Sequence, residues 1–277
     1  MNRDLRVNMA SATLDVLKRG FYRNSQGAEV AIESLMAVAT EGTTLHEYHG
    51  STQRPGNRVK AGLIEVTRES TVKAIIRLAA SGNGHLSALN FASAKNPGGG
   101  FLGGAQAQEE SLARSSGLYH CLLKQPEFYE RHRGSRCLLY QDLAIFSPKV
   151  PFFFTDEGQP LNAPAVASII TCAAPNAGAI ADNQPAKLPL VPEAFKRRAE
   201  FVLQLAVEKD VNTLILGAWG CGVFRNDPAM VAECFASLLK SGPFANAFDR
   251  VIFSIYDRSK TGAVANAFAT QFGPAAL

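Results

Sequence analysis

The chain predicts a three-layer α/β sandwich with a mainly parallel or mixed central sheet. Short apolar runs alternate with amphipathic helical stretches from Ser70 onward. Two of those runs lead straight into glycine-rich segments, and open α/β sheets hold ligands beyond the carboxyl ends of their strands. A hydrophobic content of 47% with 19% charged residues over 277 positions suits a globular protein with a substantial core.

Asp4 to Arg19 carries Leu5, Val7, Met9, Leu14, Val16 and Leu17 at helical spacing and stops at Gly20. Glu29 to Ala37 and Thr40 to Arg58 read as short elements and a polar loop, followed by strand character over Ala61 to Val66. Thr71 to Ala80 is a helix capped by Ser70 and stopped by Gly82, and Leu86 to Phe91 is a strand. Gln106 to Leu123 reads as one helix, with Leu112, Leu118, Leu122 and Leu123 available for burial. Ala144 to Phe146 and Phe152-Phe153-Phe154 are strand pieces bracketing Pro148 and Pro151, and Val166 to Cys172 is a further strand. Pro192 opens a helix through Glu208. Strand Thr213 to Leu216, helix Pro228 to Leu239 (closed by Gly242), strand Val251 to Tyr256 and helix Gly262 to Phe272 complete the chain.

A net charge of +4 is mild and favours a polyanionic ligand without marking a sequence-specific nucleic-acid binder. Lys196-Arg197-Arg198 and Arg131-His132-Arg133 read as solvated helix faces. Cys121, Cys137, Cys172, Cys221 and Cys234 show neither metal-ligand spacing nor an even disulfide set, so free thiols and a cytoplasmic location are expected. No apolar h-region follows Met1 and no apolar run reaches membrane-spanning length, so no membrane association is expected.

The chemistry concentrates at Asn96-Pro97-Gly98-Gly99-Gly100-Phe101-Leu102-Gly103-Gly104, which runs into Gln108-Glu109-Glu110. Glycines let the backbone approach a ligand closely, and a helix start adds N–H groups and the positive end of a dipole. A plain strand-to-helix connector would show the same composition. The loop has neither Walker A spacing nor the usual dinucleotide fingerprint. Acids in a first helical turn also satisfy the dipole alone. Adjacent helical side chains diverge by about 100°, so one acid can hold a sugar hydroxyl while the other faces a scissile bond. The dipole would lower their pKa values, whereas burial and mutual repulsion would raise them. Gly217-Ala218-Trp219-Gly220-Cys221-Gly222-Val223-Phe224 is a second such loop, and Asp257 follows a third strand. Trp219, Tyr119 and His120 read as structural or solvent-facing; Cys221 has no assigned His partner. An aromatic for adenine stacking could lie in Phe152-Phe153-Phe154, and Asp257 and a residue of the N-terminal region are candidates to hold adenine.

Gly98-Gly99-Gly100, seven residues, then Gln108-Glu109-Glu110 resembles the signature of poly(ADP-ribose) glycohydrolases. Leu89 to Pro97 and Gly217 to Asn226 look like the compact bacterial type. The resemblance implies a macrodomain, an α/β/α sandwich with a mixed central sheet, over residues 70–277, with a helical accessory region over residues 1–69 packed alongside. It implies hydrolysis of the ribose–ribose O-glycosidic bond of poly(ADP-ribose), releasing ADP-ribose, with ADP-ribosylated proteins as substrates and no cofactor or metal. Carried over, Glu110 is the general acid and then base, and Glu109 orients the distal ribose. Asn96, Gly98, Gly99, Gly100 and Gln108 line the ribose and diphosphate. Gly217, Gly220, Cys221, Gly222 and Val223 form the diphosphate loop, and Phe224 sets the distal ribose against the acids. The rival readings are an ADP-ribose reader without hydrolysis, a hydrolase of mono-ADP-ribose or O-acetyl-ADP-ribose, and an interaction protein with connector loops. The paired acid separates the first from the enzyme.

Overall fold

The computed structural model of the protein describes residues 1–50, 62–82, 84–257, 259 and 261–274. The chain opens with α1 (Arg3–Arg19), the hairpin β1 (Phe21–Arg23) and β2 (Glu29–Ala31), α2 (Glu33–Glu41), β3 (Thr44–Glu47) and β4 (Leu63–Thr67). It continues with α3 (Thr71–Ala79), β5 (Leu86–Phe91), α4 (Gln108–Ser115), α5 (Leu118–Leu122) and α6 (Pro126–Gly134). Next come β6 (Leu143–Phe154), β7 (Pro160–Cys172), α7 (Ala177–Asn183) and α8 (Val191–Glu208). The last elements are β8 (Thr213–Leu216), α9 (Pro228–Leu239), β9 (Arg250–Ser254) and α10 (Ala263–Phe272).

One seven-stranded sheet runs in the order β3-β6-β7-β5-β8-β9-β4. The five strands from β7 to β4 are parallel, while β6 is antiparallel to both its neighbours, so the sheet is mixed. Alternate residues divide the strands between two cores, because successive side chains leave opposite faces. Leu89, Leu214, Leu216 and Phe253 pack with Phe195 and Val202 of α8, Phe235 of α9 and Phe268 of α10. Ala88, Ile169, Ile215 and Ile252 pack with Ile75 of α3, Leu112 of α4, Leu118 of α5 and Phe128 of α6. These are the three layers expected. Two strands of the sheet, β3 and β4, come from the first 69 residues, so the accessory region is woven into the body.

The predicted helix Gln106 to Leu123 is instead two helices, broken at Ser116 and Gly117. Ser116 turns extended (φ −150°, ψ 179°) and bridges to Phe152, while Gly117 N–H donates to Pro151 O at 3.0 Å. A side chain on Gly117 would collide with Met36 Sδ of α2. The edge of β6 that β3 does not reach thus outcompetes continuation of the helix. The two predicted strand pieces around Pro148 and Pro151 are in turn one long strand, β6. Register shifts and a left-handed Lys149 (φ +48°) absorb the prolines beyond the reach of β3. Phe152 and Phe153 are fully buried, so they cannot stack on a ligand base.

Neither basic cluster is simply solvated. His132 is buried with Nδ1 on Phe128 O at 2.7 Å, and Arg198 is buried and bonded to Asp142, Tyr140 O and Ala173 O. The first residue of the expected Ala61–Val66 strand and the stretch 51–58 of the expected polar loop lie outside the described residues. So does part of the boundary placed at residues 59–70.

Candidate active site

The site forms where β5, β8 and β9 deliver their carboxyl ends. Gln108, the first residue of α4, clamps that helix to β5. Its Oε1 accepts from Phe91 N–H (2.9 Å), and its Nε2 donates to Leu89 O (2.8 Å) and Thr71 Oγ1 (3.1 Å). The clamp fixes the turn that carries both acids. Glu109 is 2% exposed and accepts from Ser93 N–H (2.6 Å), from Asn90 Nδ2 (3.2 Å) and from the Gly98 backbone. Glu110 is 9% exposed; its Oε1 accepts from Gly100 N–H at 2.9 Å, and its buried Oε2 has no partner among the described residues.

The glycine turn closes directly over the acids. Gly98 and Gly99 adopt φ +67° and +60°, and Gly99 N–H bonds Asn96 O at 3.0 Å. A side chain on Gly99 would collide with Glu110 Oε1 and lie within 3.2 Å of Glu109 Oε2. Only glycine tolerates both that backbone and that approach. Burial pushes Glu109 up to about 8, aided by the neighbouring Glu110, against hydrogen bonds from Ser93, Asn90 and Gly98 that favour its ionised form. Of the opposing effects in the sequence, desolvation wins over the helix dipole.

The second loop separates structural glycines from an open one. A Cβ on Gly217 would sit 2.8 Å from Ser254 O and 2.9 Å from the Phe91 ring; one on Gly220 (φ +75°) would strike Asn226 Nδ2. Asn226 staples the loop from inside, donating to Pro175 O (2.9 Å) and Gly220 O (3.1 Å). Trp219 is buried with Nε1 on Cys172 O, the structural role expected of it. Gly222, by contrast, has nothing within 4 Å of its would-be Cβ. The N–H groups of Gly222, Val223 and Phe224 have no acceptor among the described residues. Phe224 packs 6.0 Å from Tyr140, and its carbonyl accepts from Gly178 N–H at 2.8 Å. Val223 is 81% exposed. Burial pushes the Cys221 thiol up to about 12, so it is no thiolate nucleophile at neutral pH.

A cavity of ≈ 770 Å³ runs along this edge, within the range of small-molecule sites. One wall is α1, through Leu5, Arg6 and Met9; facing it are Gln106, Ala107, Gln108 and Ser111, with Cys221 and Gly222 at the second loop. The acids and Gly98 to Gly100 stand behind that wall, under the glycine turn, and do not themselves line the cavity. Asp257 does line it, and its carboxylate is held below the usual carboxylate range first by the Ser259 hydroxyl and then by the N–H groups of Ser259, Ala265 and Val264. Asn96 is exposed at the head of the glycine turn.

The profile of the microbial-type poly(ADP-ribose) glycohydrolase catalytic domain matches residues 10–155. The chain belongs to this family. The poly(ADP-ribose) glycohydrolase of Thermomonospora curvata superposes with a TM-score of 0.90 at 41% identity, covering 98% of this chain and 100% of that one. The same enzyme bound to the inhibitor ADP-HPD matches at 0.89 and 42%. The Deinococcus radiodurans glycohydrolase in complex with ADP-ribose matches at 0.79 and 44%, covering 85% and 96% of the two chains. No curated protein matches. Among the described residues, no helix is long and apolar enough to cross a membrane.

Sequence reasoning missed several residues of the family site's surroundings. Asn90 was legible as the one amide in the apolar run Leu86 to Phe91. Arg114 was not: it is 1% exposed, bonds Ala105 O (2.7 Å) and Gln106 Oε1 (2.6 Å), and thereby holds the segment joining the glycine turn to α4. Nor was the α1 latch, in which Arg3 and Arg6 donate to the carbonyls of Gly103 (3.0 Å) and Gly104 (2.6 Å).

Proposed function

We propose that the protein hydrolyses the ribose–ribose O-glycosidic bond of poly(ADP-ribose), with Glu110 as general acid and then base. The observation that carries this is the state of Glu110: one carboxyl oxygen held by Gly100 N–H, the other buried with no partner among the described residues. Glu109 beside it accepts from three N–H groups, of Ser93, Asn90 and Gly98.

In the reaction Glu110 Oε2–H gives its proton to the leaving ribose oxygen as the glycosidic bond breaks through an oxocarbenium-like transition state. The resulting carboxylate takes a proton from the water that attacks the anomeric carbon. The distal ribose lies against the glycine turn (Asn96 and Gly98 to Gly100) beside the cavity, with Glu109 orienting it from beneath that turn. The free N–H groups of Gly222, Val223 and Phe224 receive the diphosphate, with Gly217, Gly220 and Cys221 shaping the loop. Phe224 packs on the distal ribose, and Gln108 positions the acids. ADP-ribosylated proteins in the cytoplasm are the proposed natural substrates.

Glu110→Gln keeps the shape but has no transferable proton. The expected outcome is a loss of ADP-ribose release from poly(ADP-ribose) of about 10²–10⁴-fold, with ADP-ribose affinity retained. Full activity in the variant would remove the assignment. Binding of ADP-ribose by the wild type without chain degradation would make the protein a reader.

A further inference from the structure

Lys95 at the head of the glycine turn, Arg133 bonded to it and Arg136 three residues further on are cations that no step above uses. Arg133, in the last turn of α6, donates from Nη1 to Lys95 O at 2.6 Å. Lys95 immediately precedes Asn96, whose carbonyl holds Gly99, and the adjoining Gly100 N–H holds Glu110. Arg136 lies three residues beyond Arg133, its carbonyl fixed by Gln184 Nε2 at 2.6 Å. All three residues are exposed, and none has a carboxylate within 4.0 Å among the described residues. Their neighbours differ: Arg131 is engaged by Glu47 and Glu127, and Arg225 by Asp182. Lys187, donating to Cys137 Sγ at 3.4 Å, adds a further positive charge behind Arg136. The carbonyl end of α6 explains a basic residue in its last turn. It does not explain Lys95 or Arg136, which lie off the helix.

We propose that Lys95, Arg133 and Arg136 form a subsite for the diphosphate of the neighbouring ADP-ribose unit, the one on the leaving side of the bond. This rests on the glycohydrolase reading above. The released ADP-ribose occupies the cavity and the second loop. The leaving side starts at the hydroxyl that Glu110 protonates and carries its own diphosphate a nucleoside further on. On this reading that group leaves past the turn holding Glu110, whose leading residues Lys95 and Asn96 are exposed and whose Lys95 carbonyl is held by Arg133. A diphosphate there offsets their charge and releases counterions from the polymer. The subsite makes the enzyme prefer polymer over a lone terminal unit.

The test compares wild type with a Lys95→Gln/Arg133→Gln/Arg136→Gln triple variant and with Arg133→Lys. Release of ADP-ribose from poly(ADP-ribose) is followed against salt concentration, and ADP-ribose affinity is measured in parallel. The triple variant is expected to lose roughly tenfold in kcat/KM at low salt through KM. Its log–log salt slope should be shallower by about 1–2, at ~0.7 for each phosphate no longer neutralised. Its ADP-ribose affinity should be unchanged, because ADP-ribose lacks the neighbouring unit, and that result also certifies the fold. Arg133→Lys should stay near wild type. An unchanged salt slope and KM in the triple variant would overturn the subsite while leaving the glycohydrolase reading intact. Failure of the wild type to release ADP-ribose would overturn that reading first.

Discussion

The acid pair makes the stability of the fold depend on pH in an unusual direction. Glu109 titrates at about 8 in the folded chain against 4.5 when exposed. Between those values the folded state binds a proton that the unfolded state has lost, so stability falls as pH rises, by about 1.4 kcal/mol per unit. From pH 5.5 to 7.5, inside the window, this group alone costs ~2.7 kcal/mol. Glu109→Gln is neutral throughout and removes the slope. It also leaves one carbonyl oxygen to face the donors of Ser93 and Asn90, at a cost of roughly 1–3 kcal/mol. The variant should therefore be less stable than wild type at pH 5.5 and close to it at pH 7.5. Urea unfolding of both proteins at both pH values gives the comparison. His46, His120 and His132, whose pKa values burial lowers, contribute the same opposite slope to each protein and cancel. A difference between the two slopes below about 0.5 kcal/mol would refute the claim that burial keeps a proton on Glu109.

Gly220→Ala meets both a left-handed backbone and Asn226, so it should lower the melting temperature by several degrees and disorder the second loop. Gly222→Ala meets empty space; it should melt within about 2 °C of wild type yet bind ADP-ribose more weakly, which calorimetric titration would show. Arg198→Leu strips the buried partner from Asp142, Tyr140 O and Ala173 O. It should cost about 3–5 kcal/mol in denaturant unfolding, with Phe224 losing the support of Tyr140.

Legibility in the sequence followed the range of the forces involved. α3, β5, β8 and α9 were readable to within a residue, because their caps and apolar runs are local. The acid pair and both glycine loops were readable as a motif, since glycine and carboxylate chemistry is carried by residue type. The break at Ser116 and Gly117 was not, because it is imposed by Pro151, Phe152 and Met36 from distant segments. The α6 helix escaped because its apolar content is confined to Phe128 and Tyr129 with a buried His132. What differs most from expectation is the use of the glycine turn: its Gly98 and Gly100 N–H groups go to the enzyme's own acids.

Among the described residues the edge strand β4 pairs only with β9, matching Leu63–Thr67 to Arg250–Ser254, and Arg250 bonds Glu65 across 185 residues. During synthesis the ribosome must therefore deliver the chain through Ser254 before that side of the sheet can close. Nascent chains carry the Gln108-Glu109-Glu110 motif long before they own a finished crevice. Enzymatic competence should switch on late and all at once, after release of the last strand from the exit tunnel.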